Sequence, residues 1–402
     1  MGSDSLILDE SLADAVGVDL QRDGVRRVQG QDETGHAYTR SFTRLEGSVR
    51  ATGAPAVAQP DPEVMFQRII YDGLVGDAFL RRFTVTYDLR TSASSSGLAT
   101  RASRLPHVDH LIRVSEEVQA ALAEERGVVA LETTLVAHGF PAPAGIEVGM
   151  ASDAAVRAAG AVPATIGVLD GKIVVGLTAS ELEGFTPDAR KLGPRDLAVC
   201  AVQGAVGATT VGGTLVAAAA VGIRFMGTGG LGGVHRGFPT PPDVSADLAA
   251  CSRIPSVIAS SGVKSLLDVP ATMELLETLG VPVLGYRVDT LPLFYAADGG
   301  PPVSARVENA AEAARVADAH WRLGGNAILV GRPPDESLDV TDLIEEIVAE
   351  AAERGIVGQA VTPYVLSGLH ERSEGATRRV NRDLIVANAG LAAEIAVAFA
   401  AL

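Results

Sequence analysis

The sequence predicts an α/β protein with a largely parallel central sheet covered by helices. Three observations carry that expectation. From about Val108 onward, short apolar runs alternate with amphipathic helical stretches, which is the pattern of strands joined by crossover helices. Several of those runs end in glycine-rich or acidic exits. Hydrophobic residues make up 47% of the chain but aromatics only 4%, so the core must be built from Ala, Val, Leu, Ile and Gly in thin, closely packed layers.

The 402 residues are enough for two or three units. Residues 1–105 differ in character from the rest of the chain. "QRDGVRRVQGQDETGHAYTR" and "DLRTSASSSGLATRASRLP" are polar and show no sustained period. The apolar patch "VMFQRIIYDGLVGDAFL" is expected to form one helix. No chemistry is legible there, and the region reads as a disordered extension or as sequence outside the fold, with residues 106–402 forming the functional domain.

Within that domain, "VSEEVQAALAEERG" is an amphipathic helix ending at Gly127. Val128 to Leu131 is a buried parallel strand, and it ends on Glu132. "GIEVGMASDAAVRAAGA" reads as the second helix. "VPATIGVLDGKIVVGL" is a hairpin turning on Asp170-Gly171, and Thr178 with Glu181 forms a capping box for the next helix. From Leu197 to Val234 Arg224 is the only charge. Gln203, Thr209, Thr210 and the glycines favour a buried helix–strand pair over a membrane span. Further strands are expected at Ile223–Met226, Ser256–Ala259, Val281–Gly285 and Ala327–Val330. "NRDLIVANAGLAAEIAVAFAAL" closes the chain as a long helix with an apolar face. Asn381 and Asn388, seven residues apart, share one side of it.

The formal net charge is −16, from 49 acids and 33 bases. That balance argues against nucleic-acid binding through the general field, so an anionic ligand must be held by a few local cations. Cys200 and Cys251 are the only cysteines, which fits a reduced compartment. "MGSDSLILDESLADAVGVDL" lacks the basic and apolar regions of a secretory signal. A cytoplasmic protein with no membrane partner is the expectation.

Four segments at strand exits carry candidate chemistry. Ligands bind at the carboxyl edge of open α/β sheets, so Glu132 is either a catalytic group or a loop anchor. "GTGGLGGVHRG", residues 227–237, is either a tight loop or a backbone that approaches a ligand. It matches neither the P-loop nor the dinucleotide fingerprint. "PPDVSADL" brings Asp243, Ser245 and Asp247 together, a pattern that also suits a capped helix start. In "SVIASSGVKSLLD", Lys264 is expected in the first turn of an apolar helix, where a cation is disfavoured. A lysine that attacks a carbonyl needs such a setting.

These segments together resemble the pseudouridine-5′-phosphate glycosidase family, also described as indigoidine synthase A-like proteins. The motifs are "ALETTLVAHGFPAP", "GAVPATIGVLDGKIVVGLT", "GATTVGGT", "TGGLGGVHRG", "DVSADL", "GVKSLLD", "LETLGVPVLGY", "VTPYVL" and "NAGLAAEIA". They occur in the family's order over about residues 110–400.

The resemblance implies the family's fold and its reaction, reversible cleavage of pseudouridine 5′-phosphate to uracil and ribose 5-phosphate. A carbon–carbon bond offers no heteroatom leaving group to protonate, so two carboxylates alone do not suffice. Trapping C1 of the opened ribose as an iminium supplies the missing electron sink. By resemblance, Lys264 is the Schiff-base nucleophile and Glu132 the general acid/base. Asp243 is the ligand of one divalent manganese ion per subunit, with water completing its shell. Lys191, Val211, Ser245, Ala246, Asp247 and Asn381 are substrate contacts. The family's trimeric assembly is expected too.

Four departures touch the phosphate grip and the exact substrate. They are Gly193-Pro194 for Ser-Arg, Val263 for Ala, Gly331-Arg332-Pro333 for Ala-Asn-Pro, and Pro241-Pro242 for Thr-Phe. Another Schiff-base lyase acting on a phosphosugar is one alternative, and a catalytically silent phosphometabolite-binding protein of a pigment pathway is another.

Overall fold

The computed structural model describes residues 111–236, 243–356 and 361–402, together with shorter stretches between residues 6 and 74. The chain divides into two units, Met1–Arg101 and Ala102–Leu402.

In the first unit, Leu6–Leu8, Arg26–Gln31, Ala37–Arg44, Glu63–Phe66 and Gly73–Leu74 form a five-stranded sheet. Ser48–Ala51 and Ala54–Pro60 pair separately. The helix expected over "VMFQRIIYDGLVGDAFL" is therefore not formed where the patch is described. Val64, Met65 and Phe66 pair parallel with Leu6–Leu8 on one edge and antiparallel with Ala37–Arg44 on the other. Pairing of an apolar, β-competent triplet on both edges overrides its helical appearance. The polar run Arg26–Gln31, which reads as unpatterned, is a strand in register from Arg26↔Phe42 to Gln31↔Ala37. The Arg26 guanidinium lies 4.1 Å over the Phe42 ring.

Among the described residues the main sheet of the second unit has eleven strands: β1 Ile112–Val114, β2 Val128–Glu132, β3 Val162–Leu169, β4 Lys172–Val175, β5 Arg190–Leu192, β6 Gly207–Thr209, β7 Phe225–Gly227, β8 Val257–Ser260, β9 Val283–Tyr286, β10 Ala305–Val307 and β11 Ile328–Gly331. They run in the order β5-β6-β3-β2-β7-β8-β11-β9-β10, with β4 on β3 and β1 on β4. From β3 through β10 the neighbours are all parallel. β4 and β6 are antiparallel to β3. The largely parallel sheet that the sequence predicts is present, with strand ends one or two residues from those expected. At the β3–β4 turn Asp170 and Gly171 have φ of 51° and 71°, the positive pair that a type I′ turn requires.

Helices α1 Glu116–Ala123, α2 Ala144–Ala158, α3 Ala179–Leu182, α4 Leu197–Val202, α5 Val211–Ala220, α6 Ala246–Cys251, α7 Val269–Thr278, α8 Ala310–Arg322, α9 Thr341–Glu353, α10 Val361–Arg372 and α11 Ala376–Ala400 cover the sheet. The Thr178–Glu181 capping box forms at α3. The apolar stretch from Leu197 folds as two helices and two strands, α4, β6, α5 and β7, rather than a single pair.

Both faces of the central strands are buried, as a covered parallel sheet requires. Val128 and Ala130 of β2 join one core cluster, and Val129 and Leu131 join the other. The second cluster includes Ala389, Ala392, Ala393 and Ala396 of α11. These alanines let α11 lie so close to β7 that a Cβ on Gly227 would meet the Ala389 Cα at 2.6 Å. α11 is long and apolar enough to cross a membrane, but half of its apolar window is buried within the fold, and Asn381 and Asn388 lie on that buried side.

Candidate active site

The parallel register places the carboxyl ends of β2, β7 and β8 side by side, since Leu131 pairs with Gly227 and Gly227 with Ala259. A cleft opens there, and Glu132, Lys191, Lys264 and Asn381 all line it.

Glu132 is the last residue of β2 and is buried. The chain beneath it is held by threonines. Thr133 Oγ1 donates to the Ile166 carbonyl at 2.8 Å and accepts from the Thr209 N–H at 2.9 Å. The Glu132 carboxyl accepts from the Thr228 hydroxyl. Burial pushes this carboxyl above the usual range; Lys264, the Thr228 hydrogen bond and Lys191 pull it down, and Asp247 adds to the rise. Glu132 is thus a shielded carboxyl on a strand end, tied through Thr228 to the exit of β7. After Thr134 the chain makes a π-helical turn, Leu135–Gly139, which turns Thr134, Leu135, His138 and Gly139 onto the cleft wall. Such turns recur at functional sites.

Lys264 is not in the first turn of a helix, as the sequence suggests. α7 starts at Val269, capped by Asp268 with Pro270 in its first turn. Gly262, at φ 84°, turns the chain out of β8 before the lysine. The Lys264 N–H then donates to the Leu231 carbonyl at 3.1 Å, tying the lysine to the glycine-rich loop. Most glycines of that loop serve packing rather than ligand approach. A Cβ on Gly230 would meet Phe294 at 2.7 Å, and one on Gly232 would meet Ser245 Oγ at 2.4 Å. Gly229 and Gly230 do line the cleft.

Lys191 reaches the cleft from β5. Burial and then the charge of Lys264 push its ammonium down, and Asp247 and Glu132 oppose this. Two amines, one protonatable carboxyl and an amide therefore share one partly dry space.

The other expected residues stand outside the cleft lining. Val211 is the buried first residue of α5. Ser245 caps α6 by accepting from the Asp247 N–H at 3.2 Å, and Ala246 is the first residue of that helix. Asp247 is buried, and both its oxygens accept backbone N–H groups. Asp243 is half exposed, with an oxygen 3.8 Å from His235 Nδ1. Among the described residues no three His, Cys, Asp or Glu side chains gather in a metal-binding group. Pro241 and Pro242 lie outside the described residues.

The sequence reading missed Thr228, His138 and Phe294 as cleft residues, and it gave Asn388 no partner. Thr228 was legible as the one hydroxyl at a strand exit among glycines. Asn388 was visible as a polar residue in an otherwise alanine-rich helix face. Phe294 carried no local signal, because it arrives from a distant loop.

A model of the family described as "Indigoidine synthase A like protein" matches residues 117–398. A pseudouridine-5′-phosphate glycosidase of Streptomyces griseus is 46% identical over 296 residues, 71% of this chain and 92% of that protein. One from Caldanaerobacter subterraneus is 43% identical over 298 residues, 72% of this chain and 97% of that one. Among solved structures, the prealnumycin C-glycosynthase AlnA in complex with ribulose 5-phosphate is 42% identical with a TM-score of 0.67, covering 73% of this chain and 98% of its own. An indigoidine synthase A-like protein from Thermotoga maritima is 35% identical with a TM-score of 0.65, covering 75% and 99%.

Proposed function

The chain belongs to the indigoidine synthase A like protein family, and from that membership we propose that it reversibly cleaves the carbon–carbon glycosidic bond of pseudouridine 5′-phosphate to uracil and ribose 5-phosphate. One observation carries the reading: the buried acid Glu132 and the two amines Lys191 and Lys264 line a single cleft.

In this mechanism the Lys264 amine attacks C1′ of the ribose and displaces the ring oxygen, which takes a proton from Glu132. The new ammonium passes a proton to the Glu132 carboxylate. The freed nitrogen lone pair then forms an iminium as the C1′–C5 bond breaks and its electron pair leaves on C5 of the uracil. C5 takes that proton from Glu132, and water hydrolyses the iminium, returning a proton to Glu132 and releasing the C1 aldehyde and the free lysine. Burial suits Glu132 to the first step, because it favours the protonated carboxyl that must donate. Lys191 supplies the local cation that an acidic protein needs to hold a phosphate. The apolar wall from Leu135, Phe140, Leu366 and Ile385 excludes water from the base.

The donor set at Asp243 fits a hydrated divalent manganese ion. A hard cation that keeps several waters needs few protein oxygens, and Asp243 offers one solvent-facing carboxylate. Its neighbour His235 is held below the usual range by burial, which the charge of Asp243 opposes and those of Lys264 and Lys191 reinforce. Bound there, the ion would supply positive charge to the oxygens of the sugar phosphate. Val211, Ser245, Ala246 and Asp247 would shape the same side of the substrate. A cytoplasmic homotrimer completes the proposal.

Purified protein incubated with pseudouridine 5′-phosphate and Mn²⁺ should release uracil, followed by chromatography. No uracil above the protein-free control would sink the reading. A second reading rests on the likeness to a C-glycosynthase whose structure holds ribulose 5-phosphate: the same lysine chemistry would join a pentose phosphate to another carbon acceptor. Bond formation with a non-uracil acceptor, without uracil release, would favour it.

A further inference from the structure

We propose that Asn388 is a positioning residue that locks Glu132 to the Lys264 loop through Thr228 and Ser261. The inference rests on the glycosidase reading of the same cleft and names a residue that acts on it from outside. Asn388 is fully buried on α11, two turns beyond Asn381, and it does not line the cleft. Its Nδ2 donates to the Thr228 carbonyl at 2.9 Å and to Ser261 Oγ at 3.2 Å. A carbonyl oxygen only accepts, so Thr228 fixes which end of the amide faces it.

The two partners belong to the exits of neighbouring strands, β7 and β8. Thr228, held by its carbonyl, turns its hydroxyl onto the Glu132 carboxyl. Ser261 donates its N–H to the Gly229 carbonyl at 2.9 Å, three residues before Lys264. Asn388 therefore joins the residue that orients the acid to the segment that delivers the amine. Its Oδ1 finds no partner. An apolar side chain of similar volume would leave no such orphan, so the position is explained by the amide's donors, not by packing.

The charged groups that face Glu132 are Lys264, Asp247 and Lys191. Asn388 makes no hydrogen bond to any of them, so its influence on Glu132 runs through Thr228. The Thr228 hydroxyl favours the ionised carboxyl, and loosening it should raise the midpoint at which Glu132 titrates.

The test uses the full chain with ¹³C-labelled glutamate carboxyls, the Glu132 resonance being assigned by its loss in Glu132→Gln. Asn388→Ala should move the Glu132 midpoint upward, as Thr228→Val does. The double variant should move it no further than Thr228→Val alone. Turnover of pseudouridine 5′-phosphate should show kcat lowered about 10²-fold, the scale of a small misplacement of reacting groups, with KM little changed. Should Asn388→Ala fail to fold, Asn388→Leu keeps a similar volume without charge while lacking the N–H donors, and carries the same expectations. A folded Asn388 variant with an unmoved Glu132 midpoint, or additive kcat losses in the double variant, overturns the proposal. A wild-type chain that releases no uracil refutes the glycosidase reading instead, and the carboxyl titration still decides the role of Asn388.

Discussion

Asp247 and Gly212 are joined by a hydrogen bond of 2.7 Å, and the second oxygen of the same carboxylate accepts from Gly232 at 3.1 Å. One buried side chain thereby ties the start of α5 to the glycine-rich loop. Its charge sits where the α5 N-terminus favours an anion. Asp247→Asn replaces one acceptor with a donor facing an N–H. Unfolding in urea should show a loss of roughly 1.5–3 kcal/mol. An unchanged unfolding midpoint with a raised KM would instead make Asp247 a direct substrate contact.

The reading of Asp243 as the metal ligand predicts loss of turnover on exhaustive chelation and recovery with Mn²⁺. Asp243→Ala should stay inactive whatever metal is added, while unfolding like wild type, because the side chain is half exposed and makes only a long approach to His235. Full turnover after chelation would remove the metal from the mechanism.

The parallel sheet was legible because its strands are short apolar runs buried on both faces, and Glu132 was legible because it breaks such a run at the edge where ligands bind. Lys264 was found, but its setting was misplaced. Asp268 and Pro270 are the true helix start, and the turn at Gly262 depends on pairing with Leu231, a contact across the sheet that no local pattern reports. Asp243, Ser245 and Asp247 looked like one cluster in sequence. The fold gives them separate tasks, since Ser245 caps α6 and Asp247 holds two backbones. In the first unit, pairing partners more than sixty residues apart made strands from segments that show no period of their own.

Every residue proposed to touch the substrate lies in Ala102–Leu402, so a chain beginning near Leu105 should fold and keep its turnover. Cooperative thermal unfolding and uracil release from the shortened protein check this. An insoluble or inactive product would show that the first unit supports the second.

His370 makes the fold sensitive to acid. It is buried on α10, contacts Thr377 Oγ1 at 3.0 Å through Nδ1, and stacks on the cleft residue Phe140. Burial, then the charge of Arg378, lower it from 6.5 to about 4. The unfolded chain therefore binds a proton over this window that the folded chain refuses. Stability should be full above pH 6.5 and fall as pH drops towards 4, by roughly 2 kcal/mol after screening. Urea midpoints measured across that range should slope for wild type and flatten for His370→Asn.

The imine makes the sharpest demand on Lys264. Borohydride added with ribose 5-phosphate should reduce a Schiff base and leave a pentose phosphate fixed to that nitrogen. The peptide containing "SSGVKSLLD" should carry the added mass. Lys191 shares the cleft and burial lowers its ammonium, so it is the internal control: both amines meet the same sugar, and only the one placed for C1 should be trapped. Lys264→Arg keeps the positive charge, but a guanidinium stays protonated and forms no imine. Its turnover should fall to background while substrate binding persists through Lys191. Glu132→Gln should differ in kind, trapping the adduct normally while turnover slows by roughly 10²–10⁴-fold, since only proton transfer is lost. An adduct on Lys191 or Lys172, or wild-type turnover by Lys264→Arg, would move the nucleophile elsewhere.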